Sequence, residues 1–150
     1  MGWPALEVKR GSPYPRGMNT TARDIMSAKL IVAKQGMNIE DAVKLLVNNK
    51  VTGLPVVDGT GRMVGILSEY DIIARVGREK DLSPALFKDG IPYSTKVESV
   101  REDTSLSDIL NRFIELKCRR LPVLDASDRL VGIISRRDVM KVLYYRAKLA

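Results

Sequence analysis

The chain has 150 residues and a formal net charge of +7 at pH 7, with 45% hydrophobic and 29% charged residues. These proportions are typical of a soluble globular protein, and no apolar run approaches the roughly 20 residues that a membrane-spanning helix needs. There is no histidine and a single cysteine, Cys118, which excludes an internal disulfide, most zinc, iron and copper sites and most catalytic triads. We therefore expect a protein that is not an enzyme. The single cysteine and the lack of a recognisable secretory signal favour the cytoplasm.

The positive charge favours anionic partners, which include nucleotides, nucleic acids and membrane surfaces. Solubility alone is the competing explanation of such a charge.

The predicted elements begin after residues 1–19, where three prolines, three glycines and no periodicity indicate a flexible N-terminal arm. A first repeat is predicted over residues 20–77. Its predicted elements are, in order, a helical turn at 20–26, a strand at 30–33, a helix from Asn38 to Val47, strands at 54–57 and 63–67, and a helix from Ser68 to about Val76. The turn between the two later strands holds Gly59 and Gly61, and both glycines can adopt positive φ.

Residues 78–94 contain Pro84, Gly90 and Pro92 and are predicted to be a linker. The second half, residues 95–150, repeats the order of elements. They are a strand at 97–100, a helix from 103 or 104 to about 117, strands at 120–124 and 130–134, and a helix from Ser135 to about 147.

One motif occurs twice without a gap. Pro55 recurs as Pro122 and Asp71 as Asp138, each 67 positions later, and 10 of 21 residues are identical between 52–72 and 119–139. Such a duplication predicts an α+β fold of two β-α-β-β-α repeats, related by a pseudo-twofold axis and packed through their sheets. Neither repeat alone has enough core to be stable, and the packing leaves a cleft on either side of the axis.

The doubled motif resembles that of cystathionine β-synthase (CBS) domains, which occur in tandem as the Bateman module. The matching pattern is Gly-hydrophobic-Pro-Val-Val-Asp, a turn glycine, and Val-Gly-Ile-hydrophobic-Ser-x-x-Asp, seen at 53–71 and again at 120–138. The resemblance covers about 21–147. It implies a stand-alone regulatory module that binds adenosine-containing ligands, namely AMP, ADP, ATP or S-adenosylmethionine.

By this resemblance, Asp71 and Asp138 hold the ribose of a nucleotide, while Ser68 and Ser135 lie near its phosphate. The chemistry agrees, because a carboxylate accepts from two ribose hydroxyls and a helix start attracts phosphate. An isolated Ser-x-x-Asp is more often a helix capping box, but two copies in the same context favour binding.

The phosphate charge is expected to be met by Arg119 and Arg120, which the resemblance pairs with the cleft of Ser68 and Asp71. The equivalent residues Thr52 and Gly53 are uncharged, so Arg136 and Arg137 are expected to serve the cleft of Ser135 and Asp138. A solvated basic face is the alternative. The base is expected against main chain at 51–54 and 118–121, between apolar walls. The corresponding residues are Val51, Thr52, Gly53, Leu54, Cys118, Ile66 and Ile133, with Ser27, Ile31, Ser94 and Val97 as weaker candidates.

We therefore expect a sensor of cellular energy charge that binds AMP, ADP or ATP, with an accompanying Mg²⁺ left open, and that regulates an unidentified protein. A homodimer is expected through apolar helix positions, with core packing as the competing explanation. These positions are Ile72, Ile73, Val76, Val139, Val142 and Leu143. The alternatives are a nucleic-acid-binding regulator, supported by the basic stretch 141–148, and a module specific for S-adenosylmethionine.

Overall fold

The computed structural model describes residues 19–79 and 82–149. The predicted arm at 1–19 lies outside these residues except for Asn19. The elements are α1 (Ala22–Ile25), β1 (Ala33–Lys34), α2 (Ile39–Asn49), β2 (Gly53–Val57), β3 (Met63–Ser68), α3 (Glu69–Glu79), a 3₁₀ turn (Leu86–Lys88), β4 (Val100–Arg101), α4 (Leu106–Leu116), β5 (Arg120–Leu124), β6 (Leu130–Ser135) and α5 (Arg136–Leu149). None of the helices in these two stretches has the length and apolar character that crossing a membrane requires.

The two repeats have the same sheet topology. Each sheet has three strands, with orders β1-β2-β3 and β4-β5-β6, and in each the first pair is parallel and the second antiparallel. The register shift falls at Val56/Val57 in one sheet and at the equivalent Val123/Leu124 in the other. The predicted α+β fold of two repeats is thereby confirmed.

The first strand of each repeat is shorter and begins later than predicted. The strand expected at 30–33 is reduced to Ala33–Lys34, and the strand expected at 97–100 is Val100–Arg101. The physical reason is pairing, because Ala33 and Val100 are the first residues that reach a parallel partner in β2 and β5. The apolar residue Ile31 instead lines a cleft between the repeats.

Alternation along β2 and β5 places one face of each sheet against its own helices and the other toward the opposite repeat. Leu54 and Val56 are buried beneath α2 and α3, while Pro55 between them lines both clefts. In the second repeat Leu121 and Val123 enter the core and Pro122 lines a cleft. This period of two is what a strand between two layers requires.

The segment that precedes each repeat packs on the other repeat. Ser27 forms two backbone hydrogen bonds with Ile133 of β6, at 2.9 and 3.0 Å, and Ala22 and Ile25 are buried in the core of the second repeat. Ser94 forms two such bonds of 2.9 Å with Ile66 of β3, and Ile91 is buried in the core of the first. The division at residues 20–77, 78–94 and 95–150 stays a prediction, but the packing crosses those boundaries in both directions.

The two hairpin tips also meet. Met63 donates its N–H to the carbonyl of Asp128 and Leu130 donates to that of Gly61, both at 3.1 Å. Gly61 and its equivalent Asp128 have φ of 86° and 63°, the left-handed region that the turn requires. Both Gly59 and Gly61 were expected to adopt positive φ in this turn. Gly59 does not, so the prediction holds for Gly61 alone. The tips therefore hold the repeats in a defined relation near the pseudo-twofold axis.

Candidate functional site

A cleft of about 390 Å³ lies between the repeats and holds most of the predicted nucleotide-binding residues. The first repeat contributes the end of β3 and the first turn of α3, and the second contributes the entry to β5. The predicted residues that line it are Thr52, Gly53, Leu54, Ile66, Ser68, Asp71, Ser94, Cys118, Arg119, Arg120 and Ile133. The structure therefore brings the acidic group of one repeat and the basic pair of the other to the same cavity.

Ser68 and Asp71 form a reciprocal capping box at the start of α3. The N–H of Ser68 donates to Oδ2 of Asp71 at 2.9 Å, and the N–H of Asp71 donates to Oγ of Ser68 at 3.1 Å. The box uses a single carboxylate oxygen, and no residue in the described ranges donates to Oδ1 of Asp71. A carboxylate has capacity for several donors, so the cap leaves room for a ligand at the same group. Helix capping and ligand binding are thus compatible at Asp71.

Arg119 and Arg120 differ from several other arginines in having no acidic partner among residues 19–79 and 82–149. Arg75 pairs with Glu79 and Asp89, and Arg112 pairs with Glu98, at 2.6–2.9 Å. Among the described residues, no hydrogen bond or ion pair satisfies either guanidinium at 119 or 120, and both residues are exposed. An unpaired guanidinium at a cleft is available to bind a phosphate through two parallel hydrogen bonds.

Apart from Thr52 and Ser94, the remaining side chains on the first cleft are apolar. Ile66 and Ile133 lie on it together with Pro55 and Pro122, and these four side chains form a surface suited to a flat base. Cys118 also lines the cleft, and burial raises the pKa of its thiol above the usual value. A raised pKa keeps the thiol protonated, which agrees with a packing role. Leu121, at the end of the predicted main-chain stretch 118–121, is buried in the core and does not line the cleft.

A second cleft, of about 250 Å³, lies on the other side of the pseudo-twofold axis. Ser135 and Asp138 repeat the capping box there, with Ser135 N–H donating to Oδ2 at 2.8 Å and Asp138 N–H donating to Oγ at 3.1 Å. Oγ of Ser135 also donates to the same Oδ2 at 2.9 Å. The other predicted residues that line this cleft are Val51, Gly53, Leu54, Ile133, Ser27, Ile31 and Arg120.

The basic residues expected in the second cleft are not the ones found there. Arg136 donates from Nε to the carbonyl of Cys118 at 2.8 Å and from a terminal nitrogen to that of Lys117 at 2.9 Å, so it caps the end of α4. Arg137 is exposed and, like Val97, lines neither cleft. Consecutive residues at the start of a helix point in different directions, so the side chains of Arg136 and Arg137 lie apart from those of Ser135 and Asp138.

Lys29 is the basic residue that sequence reasoning missed. It lies in the exchanged segment beside Ser27 and lines the second cleft with Ser135 and Asp138. The sequence of the first repeat did not indicate Lys29 as a cleft residue, because the segment that carries Lys29 packs on the second repeat. Its proximity to Ser27, already a weak candidate, was the usable indication.

Comparisons with known proteins agree with the doubled fold. The family model described as CBS domain matches residues 22–78 and 90–145. The CBS domain-containing protein CBSX2, chloroplastic, of Arabidopsis thaliana is 33% identical, over 92% of this chain and 69% of its own length. A protein of Methanocaldococcus jannaschii called MJ1426 is 48% identical, over 81% of this chain and 89% of its own.

Solved structures give the same result. The crystal structure of CBSX2 in complex with AMP superimposes with a TM-score of 0.72 at 34% identity, covering 85% of this chain and 98% of that one. The CBS domain pair of protein MJ0100, in complex with 5-methylthioadenosine and S-adenosyl-L-methionine, gives 0.68 at 25% identity, with coverage of 85% and 98%. The chain belongs to the CBS domain family and is a tandem pair of such domains.

Proposed function

We propose that the protein is a non-catalytic regulatory module that binds adenine nucleotides in the clefts between its two repeats and thereby senses cellular energy charge. The observation that carries the proposal is the meeting of Asp71 with Arg119 and Arg120 in one cleft. Occupancy would alter the shape or assembly of the module and so regulate a partner protein, in a reducing compartment such as the cytoplasm. The relatives support this, since CBSX2 was solved with AMP and the MJ0100 pair with two adenosine derivatives.

The first cleft is proposed as the principal site. Its volume of about 390 Å³ is within the range of ligand pockets, roughly 300–1,000 Å³, whereas the 250 Å³ of the second is below it. It also has two guanidinium groups opposite one carboxylate, which matches a ribose linked to a phosphate. The second cleft has Lys29 as its own basic residue and shares Arg120 with the first cleft.

The charge of the first cleft favours AMP, ADP or ATP over S-adenosylmethionine. A phosphate gains charge-assisted hydrogen bonds from Arg119 and Arg120, whereas the sulfonium of S-adenosylmethionine is itself a cation and is repelled by them. We expect AMP to bind with a micromolar dissociation constant, about −8 kcal/mol, and S-adenosylmethionine at least about tenfold more weakly.

Isothermal titration calorimetry tests this with AMP, ADP, ATP with and without Mg²⁺, S-adenosylmethionine and a short DNA duplex. Heat and thermal stabilisation with AMP, together with a weaker first-site affinity in Arg119→Gln, support the proposal. Arg78→Gln is a matched control, because Arg78 is exposed on α3 and lines neither cleft. No binding of any adenosine ligand at millimolar concentration would refute the proposal, and binding of DNA alone, declining steeply with salt, would favour the nucleic-acid alternative.

We also propose that the module is a homodimer. Two apolar grooves occupy equivalent positions, one of about 440 Å³ between α2 and α3 and one of about 410 Å³ between α4 and α5. Ile73 and Ile114 on their surfaces are 66% and 71% exposed. Other residues proposed for this interface, Ile72, Val139 and Val142, are buried in the monomer core, which accounts for them without a partner.

A second copy of this chain is the occupant that the charges favour. Glu69 lines the first groove, while Arg136 lines the second at the equivalent position. Lys50 also lines the first groove and Lys117 the second, so an acid is found only in the first groove. Placing the first groove of one copy on the second groove of the other gives Glu69 a basic partner at both ends of the interface, whereas two second grooves would bring only basic residues together. A head-to-tail arrangement is therefore the proposed one.

A further inference from the structure

The two clefts share part of their walls, since five residues line both of them. These residues are Gly53, Leu54, Pro55, Arg120 and Ile133. Arg120 is the only one of the five with a charge or a long polar side chain. It is therefore the only charged residue among those that the two clefts share.

The first repeat has no basic residue at the position equivalent to Arg120. The residue 67 positions before Arg120 is Gly53, which lines the same two clefts but has no side chain. A perfectly symmetric pair would have placed one guanidinium on each side of the axis. This chain has a single guanidinium at that position for two potential phosphate sites.

The guanidinium of Arg120 is not committed to either cleft by the protein itself. In the described part of the chain no carboxylate or carbonyl accepts a hydrogen bond from it, and the residue is exposed. The local basic residues differ in this respect, because Arg119 lines only the first cleft and Lys29 only the second. A ligand can therefore determine the position of Arg120, whereas Arg119 lies on the first cleft alone.

We propose that Arg120 couples the two clefts negatively. This inference rests on the proposed function and concerns its regulation. A phosphate bound in the first cleft, next to Arg119, takes the guanidinium of Arg120 into its own hydrogen bonds. The second cleft then offers only Lys29 to a second phosphate, so the second nucleotide binds more weakly than it would to a protein with the first cleft empty. The coupling is reciprocal, as linkage requires.

The coupling gives the module a graded response. The first nucleotide binds at low concentration, and the coupling raises the concentration at which the second binds above the value set by the second cleft's own affinity. A coupling free energy of ordinary size corresponds to a factor of at least about five. Without coupling, two clefts of unequal affinity would fill independently of each other. Coupled and independent clefts can be distinguished by measuring the second-site constant with and without a working first cleft.

The experiment compares the second-site dissociation constant of the full chain with that of a variant in which only the second cleft binds. Asp71→Asn provides that variant, because an amide oxygen still caps α3 while the charge that holds the ribose is removed; Asp71→Ala is the alternative if binding to the first cleft persists. Calorimetry with AMP is expected to give a second-site constant at least about fivefold weaker in the full chain than in the variant.

Arg120→Gln is the decisive substitution and Arg119→Gln its matched control. The coupling ratio is the second-site dissociation constant measured with a working first cleft, divided by the same constant measured in the Asp71 variant. In the Arg120→Gln background this ratio is expected to fall to about one. Arg119→Gln weakens the first cleft and leaves the ratio above one. Adenosine, which has no phosphate, is expected to show a ratio of about one in the unmodified chain.

Three results would overturn the coupling, namely a ratio of one with AMP, a ratio that persists in Arg120→Gln, or a second site that binds more tightly after the first. In all three AMP still binds, so the proposed function stands. Absence of AMP binding in the unmodified chain would instead refute the proposed function and the coupling together.

Discussion

Ile66 and Ser94 are joined by two backbone hydrogen bonds of 2.9 Å, one in each direction. The equivalent pair, Ser27 and Ile133, is joined in the same way. The exchanged segments therefore extend the edges of the sheets and at the same time place Ser94 and Ser27 on the two clefts. The walls that these segments give to the clefts depend on how closely the segments approach β3 and β6.

The glycines of the Val-Gly-Ile motif make that approach possible, which leads to the first prediction. A Cβ at Gly65 would collide with the ring of Tyr93 and the carbonyl oxygen of Ser94, and a Cβ at Gly132 would collide with the side chain of Met26. Gly65→Ala is expected to lower the free energy of unfolding by about 1–3 kcal/mol. Gly132→Ala is expected to cost less, because the two nearest atoms, Sδ and Cγ of Met26, can rotate away and only its Cβ, at 2.9 Å, is fixed to the backbone, whereas the Ser94 carbonyl cannot move without the backbone.

Urea denaturation measures both variants, and Gly77→Ala is the control. Gly77 lies in α3, and a Cβ there would meet nothing within 4 Å. Alanine at this position should leave stability unchanged or raise it by up to about 1 kcal/mol. Equal losses in Gly65→Ala and Gly77→Ala would contradict the steric explanation.

Much of the fold was predictable because its signals are local or repeated. The 67-residue offset between Pro55 and Pro122 indicated two copies, and short apolar runs bounded by turn residues indicated the strands. Asn38 was predicted to cap α2, and its side chain accepts from the N–H of Asp41 at 2.9 Å. Such features depend on residues within one turn or one strand.

The parts that were not predicted depend on which segment packs on which repeat. Lys29 reaches the second cleft only because residues 20–27 cross to the other sheet, and no local pattern indicates such a crossing. Arg136 was assigned to phosphate from its position after Ser135, but it is held by the carbonyls of Lys117 and Cys118 instead. Long-range backbone pairing is not encoded in a short motif, so these placements required the three-dimensional structure.

The second prediction separates the capping role of Asp71 from its proposed binding role. Asp71→Ala removes both and is expected to lower stability by about 1 kcal/mol and to abolish AMP binding in the first cleft. Asp71→Asn retains an oxygen that can accept from Ser68, so stability should be largely kept while AMP affinity still falls. Thermal unfolding and calorimetry of the same samples measure the two effects.

Asp24 offers a matched control. It accepts from the N–H of Thr21 at 2.8 Å in a capping box of the same type, and it does not line either cleft. Asp24→Ala should therefore destabilise the protein and leave AMP affinity unchanged. Unaltered AMP affinity in Asp71→Ala would show that the carboxylate of Asp71 serves the helix alone.

The third prediction concerns acid stability and the two hairpin turns. The hydroxyl and backbone N–H of Thr60 lower the pKa of Asp58, and the backbone N–H groups of Arg129 and Ser127 lower that of Asp125. A folded-state pKa below the unfolded value means that the unfolded chain takes up protons first as pH falls. The stabilisation is therefore present above the ordinary value of 3.8 and is lost as pH falls through the lower folded-state pKa.

Urea midpoints measured between about pH 5 and pH 2.5 test this sign. Thr60→Val removes the hydroxyl that donates to Asp58 at 2.7 Å and should reduce the loss of stability in acid. The double variant Asp58→Asn, Asp125→Asn should show a still smaller acid dependence. An identical fall of the midpoint in the unmodified chain and the double variant would exclude the two turns as its source.

The fourth prediction tests the homodimer and its orientation. Ile73→Lys places a charge in the first groove and Met140→Lys places one at the equivalent position of the second, where the side chain is 47% exposed. Each substitution should shift the protein to the monomer in sedimentation velocity, because a lysine cannot be buried unpaired in an apolar contact. Leu82→Lys is the control, since Leu82 is 69% exposed but lines neither groove.

Disulfide cross-linking then distinguishes the two orientations, after Cys118→Ser removes the native thiol. In the proposed head-to-tail dimer, Ile73 of one copy faces the groove that holds Met140 of the other. A mixture of Ile73→Cys and Met140→Cys chains should therefore cross-link to each other in preference to either variant alone. If Ile73→Cys chains cross-link among themselves instead, like grooves face each other, and Glu69 then needs a partner other than Arg136. A monomer at all concentrations for the unmodified chain would refute the dimer and leave the nucleotide proposal untouched, because the residues of the first cleft all come from one chain.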